Sequence, residues 1–289
     1  MEWHARGKLH GIFGHQIFAV TTGAPEREGL PLLVLHGIPS SSRDCEAALP
    51  GLSARRRVIV HDHLGFGLSD KPAAYSYSLL EQAEVAIALW QALGVTRGHL
   101  LAHDYGTSVA TELLARRERG LCPIDFASVT LCNGSVHIDL AHLAPSQQLL
   151  RVPVLGPLFS RLASRRVFKA QLRRILGRPD SVADAELDAM WEGLVRDGGR
   201  ERLPALAGYM AERTRFRERW IGPLTRLDRP THVLWGRRDP IAVPAIAEQL
   251  AREIPGARLE WLDDLGHYPM LEAPARWAEA ASAFLAQHD

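Results

Sequence analysis

The sequence predicts an α/β fold, a mostly parallel sheet flanked by helices, with an all-helical segment inserted late in the chain. Three observations predict it. Short, nearly unbroken apolar runs alternate with helical patterns, as βα units do. That rhythm breaks between Gly134 and Asp228, where the chain is Arg-rich and shows no convincing strand. It resumes at Thr231.

In chain order the predicted strands are QIFAVTT (16–22), LLVLH (32–36), RVIVHD (57–62), HLLAH (99–103), ASVTLC (127–132), HVLWG (232–236) and RLEWL (258–262). Several are apolar at almost every position, as expected for strands covered on both faces. The predicted helices are Leu79 to Leu93, Tyr105 to Arg119, Ala245 to Glu253 and Ala275 to His288. Pro244 and Pro274 stand where helix starts tolerate proline. The expected organisation is a core over 1–133 and 229–289, with a helical lid over 134–228.

Composition narrows the function. The 289 residues are 46% hydrophobic and 23% charged, as in an ordinary globular protein. A formal net charge of +1 argues against nucleic acid as a partner. Charge is uneven, however: Arg151 to Arg229 holds 17 Lys+Arg against 10 Asp+Glu. That reads as a solvated helical face, or as attraction to an anionic substrate or membrane surface. Within it, VPVLGPLF (152–159) either lines a substrate entrance or packs as core. Cys45, Cys122 and Cys132 are odd in number and lack CxxC spacing, so buried, reduced thiols and a cytoplasmic location are expected. MEWHARGKLHGIFGHQ lacks the apolar core of a signal peptide, and no apolar run approaches the ~18 residues of a membrane span.

Ligands of open parallel sheets bind beyond the carboxyl ends of the strands. The polar residues there are HGIPSSS (36–42), Asp104 and Tyr105 after HLLAH, Asp239 in RRDP, and His267 in DDLGHYP. LLAHDYGTSVA (100–110) has the small-residue spacing of a nucleophile elbow, a turn that usually carries Ser at its apex. Here the apex is Asp104. An aspartate at a helix start commonly serves only as an N-cap, but the order nucleophile, acid, histidine favours chemistry. His36 and His103 read as packed structural histidines, and Asp263 and Asp264 as loop-solvating. His61, Asp62 and His63 belong to a DxxGxGxS turn (Asp62 to Ser69) rather than to a metal site.

HGIP, DHLGFGLSD, HDYG, GRRDP and GHYPMLEAP, in this order, resemble the α/β-hydrolase superfamily over nearly the whole chain. The aspartate at the elbow resembles its epoxide hydrolase and haloalkane dehalogenase branch. Within that branch HDYG, FRERW (Phe216 to Trp220) and GHYPMLE resemble the mesoderm-specific transcript proteins. The resemblance implies Asp104 as nucleophile, His267 as base and Asp239 as its orienting acid. It also implies an oxyanion hole from the backbone N–H groups of Ile38 and Tyr105, with no metal or organic cofactor. A carboxylate can displace a leaving group from sp³ carbon, forming an enzyme ester that activated water then hydrolyses.

Dehalogenases hold halide with side-chain N–H donors, whereas the two expected positions here are Ile38 and Tyr105. An epoxide instead needs a proton donor for its tethered oxygen. Tyr209, the sole tyrosine of the predicted lid, lies 30 residues before Asp239 and 58 before His267, a spacing like that of the family's second lid tyrosine. The family's first lid tyrosine has no counterpart between His137 and Leu158, which leaves His137, His142 or a water as substitutes. The reading is an epoxide hydrolase acting on a small apolar or amphipathic epoxide-like substrate with water, as monomer or homodimer. A dehalogenase or other Asp-nucleophile hydrolase is the alternative, and a non-catalytic ligand-binding protein on the same fold is the second.

Overall fold

Alternate residues of each central strand enter different cores, one on each face of an eight-stranded sheet. The computed structural model describes residues 3–23 and 29–289. Residues 1, 2 and 24–28 of the expected core segment, the first two also opening the N-terminal stretch read for a signal peptide, lie outside the described residues. The strands are β1 (Lys8–Ile12), β2 (His15–Thr22), β3 (Gly29–Leu35), β4 (Arg56–His61), β5 (Arg97–His103), β6 (Asp125–Cys132), β7 (Thr231–Gly236) and β8 (Arg258–Leu262). On one face Leu33, Leu35, Ile59, Leu100 and Ala102 pack under the helices Leu79–Ala92 and Tyr105–Glu118. On the other, Leu32, Val34, Val58, Val60 and Leu101 share a core with Trp277 and Phe284 of the helix Pro274–Leu285. Side chains point to opposite faces with a period of two, so a strand buried on both sides must be apolar throughout.

The order is β1-β2-β4-β3-β5-β6-β7-β8, antiparallel at β1/β2 and β2/β4 and parallel from β4 to β8. The sequence reading lacked β1. This edge strand, KLHGI, is mostly exposed and has no apolar run to announce it. It joins β2 through Phe13 and Gly14, both at positive φ, as the tightest hairpins require. The other expected strands are present, several one to three residues longer at their amino ends. The chain leaves β3 for β4 on one side and returns to β5 on the other. The crevice beyond β3 and β5 is therefore the topological switch point where such sheets bind ligands.

From Cys132 to Thr231 the described residues contain helices and no strand. Two of the places where this insertion is tied to the sheet region lie beside the elbow and beside His267. The carboxylate of Glu112, on the helix after β5, accepts from Arg219 Nε and Nη2 and from Trp220 Nε1 at 2.6 to 2.9 Å. Burial opposes its charge, but these bonds and one from Arg116 hold the Glu112 carboxyl below its ordinary value. FRERW thus clamps the insertion to the helix that follows Asp104. Elsewhere His267 N–H donates to Ile175 O at 2.9 Å, and Glu272 accepts from Gly266 N and Arg178 N at 2.9 and 2.7 Å.

Candidate active site

Asp104 follows β5 at φ +43°, ψ −108°, a conformation that L residues rarely adopt. Its N–H donates to Cys132 O at 3.1 Å, and its C=O accepts from Thr107 N and Thr107 Oγ1 at 3.0 and 2.6 Å. The helix begins directly at Tyr105, and the Asp104 side chain makes no capping bond to it. Two glycines permit the turn. A Cβ on Gly106 would lie 2.5 Å from Leu35 O, so only glycine lets the helix sit against β3. A Cβ on Gly37 would lie 2.9 Å from Asp104 Cβ. This close approach brings the Ile38 N–H to Asp104 Oδ2, at 2.9 Å. Tyr105 N–H belongs to the first helical turn, whose donors have no intrahelical acceptor. The Tyr105 ring is buried against His63, Phe66 and Tyr209.

His267 stands between two carboxylates. Its Nδ1 donates to Asp239 Oδ2 at 2.7 Å, and its Nε2 lies 3.9 Å from Asp104 Oδ2. Asp239 accepts four bonds: His267 Nδ1, Asn133 Nδ2 at 2.8 Å, and the backbone N–H groups of Ile241 and Ala242 at 2.8 and 3.0 Å. Burial alone would lower the His267 pKa, but the charges of Asp239, Asp104 and Glu272 and the Asp239 bond outweigh it and raise it to about 9. His103 donates from Nε2 to His267 O at 2.7 Å, which fixes the backbone beneath the imidazole.

Asn133 is a site residue the sequence reading missed. It follows β6 directly at φ +42°, and its Oδ1 accepts from Gly236 N at 2.8 Å while its amide donates to Asp239. The signal was available: Asn133 is a polar residue at the carboxyl end of a strand.

Tyr209 comes from the insertion and lines one cavity together with His267 and Ile38. Its hydroxyl accepts from Gln147 Nε2 at 3.3 Å. Gln147 Oε1 accepts from Ala144 N at 2.8 Å, which fixes the amide so that its NH₂ faces Tyr209. The phenol therefore keeps its own proton available for donation. Burial raises Tyr209 to about 12, while Arg213 over its ring, 4.5 Å from the centroid, pulls it down. Arg213 is itself buried, donating to Ser108 Oγ at 2.6 Å and to Asp104 O at 3.4 Å. Its Nη1 has no hydrogen-bond partner among the described residues.

The cavity, about 270 Å³, is walled mostly by apolar side chains of the insertion, among them Leu150, Phe168, Leu172, Trp191 and Met210. Neither His137 nor His142 lines it. His137 Nε2 instead meets Glu253 Oε1 at 2.7 Å, and His142 donates its backbone N–H to Ile241 O. Gln147 does line the cavity. VPVLGPLF does not pack as core, since Val152, Val154, Leu155 and Leu158 are exposed. Cys45 and Cys132 are buried free thiols, whereas Cys122 is only half-buried. His36 is structural, its Nε2 accepting from His63 N at 3.0 Å. Among the described residues no group of three or more His, Cys, Asp or Glu is arranged to hold a metal, and no helix is long and apolar enough to cross a membrane.

Residues 31–274 match the family model described as alpha/beta hydrolase fold. LipZ of Mycobacterium tuberculosis is 42% identical over 254 residues, covering 88% of each chain. The human mesoderm-specific transcript homolog protein is 35% identical over 295 residues, covering 98% of this chain and 87% of its own. The crystal structure of haloalkane dehalogenase DbeA from Bradyrhizobium elkani superposes with a TM-score of 0.79 over 97% of both chains at 22% identity, a likeness of fold.

Proposed function

We propose that this chain, which belongs to the alpha/beta hydrolase fold family, opens an epoxide to a diol through a covalent ester on Asp104. The observation that carries the reading is Tyr209: its hydroxyl accepts from Gln147, keeps its own proton, and shares the cavity with His267 and Ile38. Asp104 attacks the less hindered ring carbon, the C–O bond breaks, and the departing oxygen takes the proton of Tyr209. The helices from 134 to 228 act as the lid that brings this donor over the elbow.

The second half-reaction explains the paired carboxylates. In the resting protein two negative charges hold a proton on His267, whose pKa is about 9. Esterification removes the charge of Asp104, so the imidazole loses that stabilisation, gives its proton through solvent to the Tyr209 phenolate, and becomes a base only once there is an ester to hydrolyse. Water gives a proton to His267 and adds to the Asp104 carboxyl carbon. The oxyanion forms where Ile38 N–H already donates, with Tyr105 N–H beside it. On collapse the hydroxyl proton passes to the leaving alkoxide, the diol is released, and the restored Asp104 charge keeps on His267 the proton it took from water. Asp239 keeps the ring oriented throughout.

Halide displacement would need side-chain N–H donors near the nucleophile, and positions 38 and 105 offer an aliphatic chain and a buried phenol. The test sets diol formation from epoxides of graded bulk beside halide release from haloalkanes. Epoxide turnover that Tyr209→Phe slows about 10²-fold or more, at the alkylation step, is expected. Halide release with no diol, or alkylation indifferent to Tyr209→Phe, contradicts the reading.

A further inference from the structure

From Leu140 to Pro179 the chain carries eight basic residues and no acidic one. The helices Leu155–Leu162 and Arg165–Ile175 lie in this stretch. These helices and the turn before them expose large apolar side chains where solvent would ordinarily select polar ones: Val152, Val154, Leu155, Leu158, Leu162 and Val167, with Val154 81% and Leu162 72% exposed. Leu162 and Val167 also line the cavity that reaches His267, so the apolar surface is continuous with the cavity mouth. Arg161, Arg166 and Arg174 stand exposed among these residues and meet no carboxylate among the described residues. Arg165, Lys169 and Arg173 instead pair with acids of the helix Asp184–Val195.

We infer that this face docks on an anionic phospholipid surface, from which an amphipathic substrate passes between the two helices into the cavity. Apolar side chains flanked by unpaired arginines are what such a surface selects: the chains enter the acyl boundary and the guanidinium groups meet the headgroup phosphates. A second copy of the chain is a poorer occupant. Two such faces would set the unpaired arginines of each against those of the other, with no acid between them.

The test is flotation of the full chain with large unilamellar vesicles of phosphatidylcholine alone, or of phosphatidylcholine and phosphatidylserine at about seven to three. No turnover is read, so the result stands apart from the choice of electrophile. The protein should float with the anionic vesicles only and be released at high salt. Arg161→Glu/Arg166→Glu/Arg174→Glu should weaken binding about tenfold or more. Val154→Ser/Leu155→Ser/Leu158→Ser should weaken it too. All six side chains are exposed, so both variants should melt with the parent. No flotation with anionic vesicles, or flotation unchanged in both variants, overturns the inference. So does a solution dimer that the apolar variant dissociates without any vesicle binding, because the partner would then be a second copy.

Discussion

The floor and the roof of the site are built by different physics. On the floor, Asp104, Asp239 and His267 stand at strand ends, and their positions follow from the sheet. Asp239 has four donors, and Asp104 is held in a rare backbone conformation by β5 behind it and a glycine-tight helix ahead. On the roof, Tyr209 lines a cavity with His267 and is held by one hydrogen bond from Gln147 and the stacked Arg213. The surrounding walls are apolar and open toward an exposed apolar face. A rigid floor suits bond making, which tolerates little misplacement. A roof walled by apolar side chains suits recognition and access.

The largest effect that could break this comparison lies at the elbow. Asp104→Ala and Asp104→Gly should each lower turnover about 10⁴-fold or more. Their stabilities should differ in an unusual direction. Only glycine relaxes at φ +43°, so the glycine variant should melt above the alanine variant, by roughly 1 kcal/mol. Thermal melts of the pair decide it. An alanine variant that is equal or more stable would mean that the backbone at the floor is not strained.

The next effect concerns Arg213, which links roof to floor. Arg213→Met removes the charge over Tyr209 and the bonds to Ser108 and Asp104 O. Without that charge Tyr209 holds its proton more tightly, so alkylation should slow about tenfold while ester hydrolysis is unchanged. Rapid-quench measurement of the two half-reactions checks this. Stability should fall little, because the guanidinium is buried with no carboxylate hydrogen-bonded to it.

The smallest effect is on the pH profile of stability. His267 is raised to about 9, so its contribution is fully present below about 6.5 and is lost as pH rises through 9. His61 and His103 are buried and lowered to about 3 and 4, so theirs is present above 6.5 and is lost as pH falls. Melting temperature should decline on both sides of neutrality, and His267→Gln should flatten the alkaline limb alone. An alkaline limb unchanged in that variant would place its origin elsewhere.

The floor was legible in the sequence because its logic is local. Strands buried on both faces must be apolar, and polar residues at their carboxyl ends stand out against them. Asn133 obeys the same rule and could have been found by it. β1 escaped because an exposed edge strand such as KLHGI needs no apolar pattern. The roof was legible only in outline. Tyr209 was singled out only through the family resemblance, and Gln147 and Arg213 acquire meaning from how separate helices pack over the elbow. The exposure of VPVLGPLF likewise depends on tertiary packing, because an apolar run reads the same inside or out.

The central claim, a covalent ester on Asp104, is tested most directly by a single turnover of an epoxide in ¹⁸O-water, followed by mass analysis of the peptide that contains Asp104. One heavy oxygen is expected in the Asp104 carboxylate and none in the first diol released. Label in the diol, with Asp104 unlabelled, would contradict it.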